Sequence, residues 1–335
     1  MDADLNNVTS ISNKSVLKTK IMDFLKNYGN IVILCLVILI MSFLNPRFMS
    51  LRNFINLSKQ IVGPGILSLG LMFVIISGGL DLSAGFGISL VSVVFALVYE
   101  TTSNIIIAII IAIITGLILG AFNGFIVTKL KIVPFVTTLS TMLIFQGLTY
   151  VLLTGKMAWV RHPFTRALGN GDVFGIPILF LFMITVYIIS YIILNFTKLG
   201  RYSIAIGSNE EGVILDGISV EKYKFFIYVL SGLFVSITAI IMISRLQLAT
   251  PTIGGLPILM DAIAATIIGG TSLAGGKGSV VGTFIGVVII VIIGNIINFL
   301  NIDPNYKDFF KGVVIIGVLF FDRVVNAKQY EMEAK

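Results

Sequence analysis

Charged residues, cysteine and histidine are scarce in this sequence. Asp, Glu, Lys and Arg together make up 12% of the 335 residues, whereas soluble globular chains contain roughly 25%. The single cysteine, Cys35, excludes a disulfide within the chain. The single histidine, His162, argues against a zinc site and against a histidine-based catalytic triad. The sequence therefore disfavours a water-exposed body and two common kinds of active site.

Long apolar runs dominate what is present. Hydrophobic residues make up 57% of the chain, and the mean hydropathy is +1.04. A helix needs roughly 20 apolar residues to cross a bilayer. The candidate runs are 29–45, 61–78, 84–100, 104–128, 135–154, 176–197, 223–244, 257–270, 279–300 and 308–322. They are continuous, whereas the strands of a transmembrane β-barrel alternate. We predict an all-α, polytopic transmembrane helical bundle of about ten spans.

Lysine and arginine indicate how this bundle is oriented. The polar N-terminal segment is basic, and the larger share of Lys and Arg falls on its side of the membrane, which the positive-inside rule assigns to the cytoplasm. Asn45-Pro46-Arg47 follows the first run where a signal peptide would have a cleavage site, so we expect a retained span. We expect residues 198–222 inside and residues 155–175 outside. The predicted parts are a cytoplasmic segment at 1–28, one transmembrane domain at 29–325 and a cytoplasmic tail at 326–335.

The stretch GGTSLAGGKGS at 269–279 looks like a phosphate-binding loop. A Walker A loop requires G-x-x-x-x-G-K-[ST]. Thr271 stands where the first glycine is needed, and Gly278 stands where Ser or Thr is needed. The stretch is therefore not a nucleotide site. It resembles a second glycine-rich stretch, SGGLDLSAGFG at 77–87, and both interrupt apolar runs.

Asp81 is the most informative residue in these stretches. A charge at membrane depth costs about 2.5–3.5 kcal/mol, so Asp81 should face a cavity or a partner. Alternatively, Asp81 or Ser83 caps the next helix in a tight turn. Inside the spans, Asn123 and Gln146 either line a path for a polar solute or bond to other helices. The residues predicted for the translocation path or the helix breaks are Gly78, Gly79, Asp81, Ser83, Asn123, Gln146, Thr271, Ser272 and Lys277.

Two glycine stripes recur every four residues, at Gly116, Gly120 and Gly124 and at Gly278, Gly282 and Gly286. This spacing places the glycines on one face of a helix, where another backbone can approach closely. The stripes predict either packing within the chain or a seam between two copies.

The stretch GSNEEGVILDGISVEKYK at 207–224 predicts a short helix. Ser208 or Asn209 can cap it, and acidic residues follow in its favourable first turn. Val213 to Leu215 offer an apolar face, and Gly217 ends the helix. Such a helix suits docking into a groove of a soluble partner. The alternative is a connector lying along the membrane.

Four stretches carry a family resemblance. They are GGLDLSAG at 78–85, GAFNGFIVTKLKIVPFVTTLSTM at 120–142, SNEEGVILDGISVEKYK at 208–224 and DAIAATIIGGTSLAGGKGSVVGTFIG at 261–286. Together they resemble the permease subunit of ribose-type ABC sugar importers, over roughly residues 30–325. The chain departs from the family where Glu211-Gly212 replaces a frequent pair of small residues. It departs again at Gln146, where relatives often have Arg.

The resemblance implies a transport subunit of the cytoplasmic (inner) membrane that works by alternating access. It has no ATPase activity and no cofactor of its own, because ATP binds to a separate ABC ATPase subunit on the cytoplasmic side. A second copy of the chain and an extracytoplasmic sugar-binding protein are the other expected partners, with no role for nucleic acid. The residues expected to couple to the ATPase, within a coupling loop at 198–222, are Asn209, Glu210, Glu211, Gly212, Leu215 and Gly217.

Other functions stay open beside this one. An ion-coupled secondary transporter would use no ATPase, but it usually needs an embedded carboxylate or histidine relay. Within the ABC class, the solute could be a nucleoside or another small polar molecule. A membrane enzyme is the weakest alternative, because the only histidine lies in the loop at 155–175.

Overall fold

The computed structural model describes residues 38–39, 42–43, 45–154, 156–300, 303, 306, 309, 312–313 and 316–317. The runs predicted at 29–45 and 308–322 lie mostly outside the described residues, as do both terminal segments. The chain divides into two units, one formed by residues 50–295 and the other by residues 1–49 with 296–335.

Helices make up most of the described chain. In chain order they are α1 Leu51–Gln60, α2 Val62–Ile76, α3 Ala84–Thr102, α4 Ile105–Thr128, α5 Pro134–Leu153, α6 Pro163–Asn170, α7 Ile178–Phe196, α8 Lys198–Ser208, α9 Glu210–Leu215, α10 Val220–Leu246, α11 Leu256–Ile268 and α12 Val280–Phe299. Four two-residue strands form two antiparallel pairs, β1 Ala158–Trp159 with β4 Leu248–Ala249 and β2 Asp172–Val173 with β3 Ile176–Pro177. In the smaller unit, a 3-10 turn at Pro46–Met49 brings Phe48 against Phe299, with ring centroids 5.9 Å apart.

Within the described residues, 7 helical stretches are long and apolar enough to cross a membrane. They are α1 with α2, α3, α4, α5, α7, α10 and α12. Each overlaps one of the predicted runs, but the stretch Leu51–Ile76 begins well before the run predicted at 61–78, because α1 precedes α2. The run predicted at 257–270 is α11, which has 13 residues. At 1.5 Å per residue α11 is about 20 Å long, shorter than the ~30 Å hydrocarbon core. The helical bundle is confirmed, and the figure of about ten spans stays a prediction.

The long helix α10 occupies the centre of the larger unit and packs against α2, α3, α4 and α6. Its closest neighbour is α4, because both helices present small residues at the contact. A Cβ atom added to Gly120 would lie 3.1 Å from the Cα atom of Gly232, and one added to Gly116 would overlap the Gly232 carbonyl oxygen. The first glycine stripe therefore packs within the chain.

Two members of the second glycine stripe, Gly282 and Gly286, pack α12 against α11 in the same way, whereas Gly278 precedes the helix and faces the side chain of Ile76. A Cβ atom added to Gly282 would overlap the carbonyl oxygen of Gly269, and one added to Gly286 would overlap that of Ala265. Farther along α12, the side chains of Asn295 and Asn53 exchange two hydrogen bonds of 3.0 and 3.2 Å. Both asparagines are buried, so this amide pair fixes α1 against α12.

Candidate functional site

The first glycine loop, residues 77–83, begins where glycine ends α2. Gly78 has a φ of +79°, a backbone conformation that favours glycine. The N–H of Gly79 then donates to the carbonyl oxygen of Val74 at 3.0 Å, which closes the helix. The chain turns inward from this point and carries Asp81 into the bundle, where 3% of the residue remains exposed.

Asp81 fastens this loop through both of its carboxylate oxygens. Oδ1 accepts hydrogen bonds from the backbone N–H of Ser83 at 3.1 Å and from its hydroxyl at 2.6 Å. Oδ2 accepts from the hydroxyl of Ser231 on α10 at 3.0 Å. Burial raises the pKa of the Asp81 carboxyl, and the hydrogen bonds from Ser83 and Ser231 oppose that rise. The turn predicted at the start of α3 is present, and Ser231 is an additional partner within the bundle.

Two further helices hold the same loop. Asn123 on α4 donates from Nδ2 to the Ser83 hydroxyl at 2.7 Å, and Thr138 on α5 donates to the carbonyl oxygen of Leu80 at 3.1 Å. Asn123 is 1% exposed, and its Oδ1 atom has no hydrogen-bond partner among the described residues. We call Asp81, Ser83, Asn123 and Ser231 the Asp81 cluster. It joins the loop to α4 and α10, which are far apart in sequence.

Backbone hydrogen bonds shape the second glycine loop, residues 269–279. The N–H of Ser272 donates to the carbonyl oxygen of Lys277 at 3.1 Å, and the N–H of Gly275 donates to that of Ser272 at 3.0 Å. Three glycines supply positive φ values for this fold, namely Gly270, Gly275 and Gly276. Among the described residues, the Ser272 hydroxyl accepts from the nearby N–H of Ala274, at 3.3 Å.

The remaining predicted residues differ in their surroundings. Thr271 is buried, and its hydroxyl has no hydrogen-bond partner in the described structure. Lys277 is exposed. Gln146 is half-buried on α5, and no hydrogen bond joins it to either glycine loop within the described residues. The structure thus brings Gly78, Gly79, Asp81, Ser83 and Asn123 together but leaves Gln146 outside that group.

The two glycine loops meet at a point that also includes the end of α8. The N–H of Gly276 donates to the carbonyl oxygen of Ile76 at 2.8 Å. A Cβ atom on Gly275 would lie 2.9 Å from the carbonyl oxygen of Gly207 and 3.2 Å from the Cα atom of Gly78, and one on Gly207 would overlap the carbonyl oxygen of Ile76. We call these five residues the glycine junction. Within it, the positions Gly207, Gly275 and Gly276 have no room for a side chain.

Helix α9 follows this junction directly and has the predicted form. Asn209 caps it by accepting from the N–H of Gly212 at 3.0 Å, and Glu210 and Glu211 occupy its first turn. Gly217 follows the helix with a φ of +75°. The predicted coupling loop at 198–222 is therefore largely helical, because α8 occupies its first half.

The apolar residues of α9 divide between the protein and solvent. Val213 is buried against Ile206 and Val220, whereas Ile214 and Leu215 are 56% and 88% exposed. Exposed apolar side chains on a short helix are suited to docking into a groove of a partner protein. Only part of the predicted apolar face is therefore available to a partner.

Two ion pairs fix the surroundings of α9. Lys224 on α10 pairs with Glu210 at 2.6 Å, and Lys129 after α4 pairs with Glu221 at 2.8 Å. All four residues belong to segments that the lysine and arginine distribution predicts on the inner side. The structure brings these segments together at one end of the bundle.

Sequence reasoning missed several residues of this region, chiefly Ser231, Thr138 and Gly207. Ser231 is a polar residue in an apolar run directly before Gly232, and that combination was the available signal. Thr138 and Gly207 carry no comparable signal, because their roles depend on backbone atoms of Leu80 and Ile76 that are distant in sequence.

Comparison with known proteins decides the family. The family model described as branched-chain amino acid transport system / permease component matches residues 53–319. The chain is a member of this permease family. The permease is 38% identical to the ribose import permease protein RbsC of Bacillus subtilis (strain 168) over 306 residues, which cover 90% of this chain and 94% of the relative.

Two further relatives are named for the transport of five-carbon sugars. The permease is 36% identical to the ribose import permease protein RbsC of Escherichia coli (strain K12) over 315 residues, or 91% of this chain and 95% of the relative. It is 35% identical to the L-arabinose transport system permease protein AraH of the same strain over 309 residues, or 92% of each chain. No solved structure matches the permease. The family resemblance of the four sequence stretches is confirmed.

Proposed function

We propose that this permease is the transmembrane subunit of an ATP-driven importer that moves a ribose-like monosaccharide across the cytoplasmic membrane. The observation that carries the proposal is 38% identity to a ribose import permease over 90% of this chain. The relative named for L-arabinose transport supports the same solute class, because ribose and arabinose are both five-carbon sugars.

The proposed importer needs partners that this chain does not supply. Two copies of the permease form the path, each with about ten spans and with both termini in the cytoplasm. A separate ABC ATPase binds and hydrolyses ATP, and a substrate-binding protein delivers the sugar from outside. The glycine loops serve as helix breaks near the path, since irregular backbone is tolerated at membrane depth only where it lines a cavity or is buried in protein.

Coupling in this proposal begins at α9. The exposed side chains of Ile214 and Leu215 would dock into the ATPase. Movement of α9 would reach Gly207 first, and then both glycine loops through the glycine junction. The first loop carries Asp81 and its bonds to α4 and α10, so rearrangement there would alter the buried polar layer of the bundle. Binding of sugar-loaded partner and closure of the ATPase would favour each other by linkage.

Reconstitution tests this function. The permease, its ATPase and its substrate-binding protein would be placed in proteoliposomes with ATP, and uptake of labelled D-ribose, L-arabinose and leucine would be measured. We expect ATP-dependent uptake of a pentose that survives ionophores. Uptake that needs an ion gradient and no ATPase would establish a secondary transporter instead. Preferential uptake of leucine would show that the solute is an amino acid and not a sugar.

A further inference from the structure

Helices α4 and α5 both have faces that the rest of the described chain leaves uncovered, and these faces differ in composition. Every exposed residue of α4, from Ile106 to Phe125, is isoleucine or phenylalanine. Such a face suits the hydrocarbon tails of the bilayer, which offer no hydrogen-bond partner. The uncovered part of α5 also includes the half-buried amide of Gln146 and the phenol of Tyr150, which is 46% exposed. Lipid is therefore a poor neighbour for this side of α5.

Gln146 lies at membrane depth without a hydrogen-bond partner. Helix α5 ends at Leu153, so Gln146 is about 10 Å from that end, well inside a hydrocarbon core ~30 Å thick. Its amide bonds to no described residue. By contrast, the uncovered hydroxyls of Ser140 on α5 and Thr185 on α7 donate to carbonyl oxygens of their own helices. The Gln146 amide, with two donors and an acceptor, therefore needs a polar neighbour that its own copy of the described chain does not supply.

Tyr150 adds an aromatic ring to the same face of α5. It follows Gln146 by about one helical turn, and residues four apart are neighbours on a helix surface. Its hydroxyl likewise bonds to no described residue. An amide beside a ring with an apolar face and a polar tip is a combination typical of sites for small polar molecules. A sugar fits it, because sugar hydroxyls both donate and accept, and the C–H groups of a sugar form an apolar side that can lie against a ring.

Two simpler neighbours explain less of this arrangement. Tyrosine is common where a helix crosses the membrane surface, which accounts for Tyr150 but not for an amide deeper in the core. Across a two-fold axis, the amide of Gln146 could pair with its equivalent in a second copy, but this pairing gives Tyr150 no role. A sugar accounts for both residues, and the proposed function brings a sugar to this depth.

We propose that Gln146 and Tyr150 form a sugar-contact site on the transport path. This inference rests on the proposed function and names residues that bind its solute. The amide of Gln146 would bond to hydroxyls of the sugar as it crosses the hydrocarbon core, and the ring of Tyr150 would pack against the C–H side of the sugar. Loss of the amide should therefore slow the passage of sugar through the permease, whereas capture of sugar by the substrate-binding protein should not change.

Removing the amide with little change in side-chain volume tests this site. Gln146→Leu and Gln146→Asn would be assembled with the ATPase and the substrate-binding protein in proteoliposomes. We expect Gln146→Leu to lower the maximal rate of D-ribose uptake, and the sugar moved per ATP, at least about tenfold, because sugar hydroxyls lose a partner in the path. Gln146→Asn should restore part of the rate. The matched control is Ser140→Ala on another side of α5, which should keep uptake within about twofold.

Thermal unfolding of the same variants separates binding from a structural role. Because Gln146 bonds to no described residue, Gln146→Leu should leave the unfolding temperature unchanged. Normal D-ribose uptake by Gln146→Leu would overturn the inference. A loss of uptake that is matched by a loss of thermal stability would also overturn it, because the amide would then support the fold.

Access from water separates a transport path from lipid and from a seam between copies. In a Cys35→Ser background, Gln146→Cys in nanodiscs would be treated with a charged maleimide, with Ile118→Cys at a 59% exposed position of α4 as the matched control. We expect Gln146→Cys to be labelled at least about tenfold faster than Ile118→Cys. Labelling no faster than the control, or a disulfide between two copies without labelling, would overturn the inference. A wild-type complex that moves no pentose would refute the proposed function, and the sugar site with it.

Discussion

The two glycine loops have similar sequences and different supports. In the paired stretches GGLDLSAG at 78–85 and GGTSLAGG at 269–276, Asp81 corresponds to Ser272 and Ser83 corresponds to Ala274. Asp81 accepts from Ser231 on α10, whereas the hydroxyl of Ser272 bonds within its own loop as far as the structure describes the chain. The first loop is therefore fixed to the bundle by side chains, and the second is positioned by backbone contacts at the glycine junction.

This difference indicates that the glycines and the polar residues of the shared pattern have separate roles. The glycines end helices and allow close approach in both loops, and the polar positions decide what each loop is fixed to. Because the backbone of the second loop lies against the end of α8 at the glycine junction, we expect this loop to follow α8 and α9 when they move. The first loop should move less than the second, since it is bound to α4, α5 and α10.

The largest effect is expected from adding a side chain at the glycine junction, which would keep the backbones of α8 and the first glycine loop apart. In Gly207→Val, the added side chain would overlap the carbonyl oxygen of Ile76. We expect uptake to fall more than about tenfold, because both loops must shift to make room. Uptake of labelled sugar into proteoliposomes measures this loss.

The matched control for that variant is Gly147→Val on α5. A Cβ atom there meets nothing within 4 Å, so we expect near-normal uptake. Equal uptake by the two variants would show that the glycine junction has no special role in transport.

The next largest effect is expected from removing the Asp81 carboxylate, which anchors the first loop but has no counterpart in the second. Asp81→Ala leaves the hydroxyl of Ser231 and the side chain of Ser83 without their buried acceptor. Each such group costs about 1–3 kcal/mol when unpaired, so we expect a clear loss of stability and of uptake. Thermal unfolding in detergent measures the loss of stability.

The comparison for Asp81→Ala is Ser272→Ala at the corresponding position. It should change stability by less than about 0.5 kcal/mol, because its hydroxyl makes one local bond. Similar losses in both variants would mean that the loops are anchored alike.

A smaller effect on structure, with a marked effect on coupling, is expected at α9. Leu215→Asp places a charge on the most exposed apolar side chain of this helix. We expect the permease to remain folded while ATPase retention and uptake fall about tenfold, since desolvating a charge in an apolar groove is unfavourable. Co-purification of the ATPase measures retention. Phe174→Asp, at the other end of the bundle, should leave retention intact, and loss of retention there would argue against α9 as the docking element.

The smallest effect is expected from the ion pair between Lys224 and Glu210. The side chain of Glu210 is 48% exposed, so removing the pair with Lys224→Gln should cost no more than about 1 kcal/mol. A double-mutant cycle with Glu210→Gln in thermal unfolding measures the coupling. A coupling energy well above that value would indicate that the pair holds α9 rigidly against α10.

Much of this architecture could be predicted from the sequence because its causes are local. Apolar runs gave helices close to their observed bounds, and Asn209 caps α9 as expected. The glycine-rich stretches interrupt helices because their positive φ values are a property of the residue itself. The family could also be inferred, because four long stretches retain its pattern.

The rest depends on which distant segments meet. Ser231 lies 150 residues beyond Asp81, and no pattern in either stretch indicates that they bond. The same holds for Gly207 at the junction and for Gln247, which the β1–β4 pairing brings to Arg161 and Arg166. Gln146 was predicted with the path because it is polar within a span, but its place on α5 keeps it from the Asp81 cluster.

The amide pair of Asn53 and Asn295 has a consequence for how this family can vary. Each side chain is both donor and acceptor for the other, so replacing Asn53 alone removes the partner of two buried polar atoms of Asn295. We therefore expect substitutions at these two positions to be inherited together, although 242 residues separate them. We expect selection against a substitution at one of the two positions alone, and a compensating substitution would lie near the opposite end of the gene.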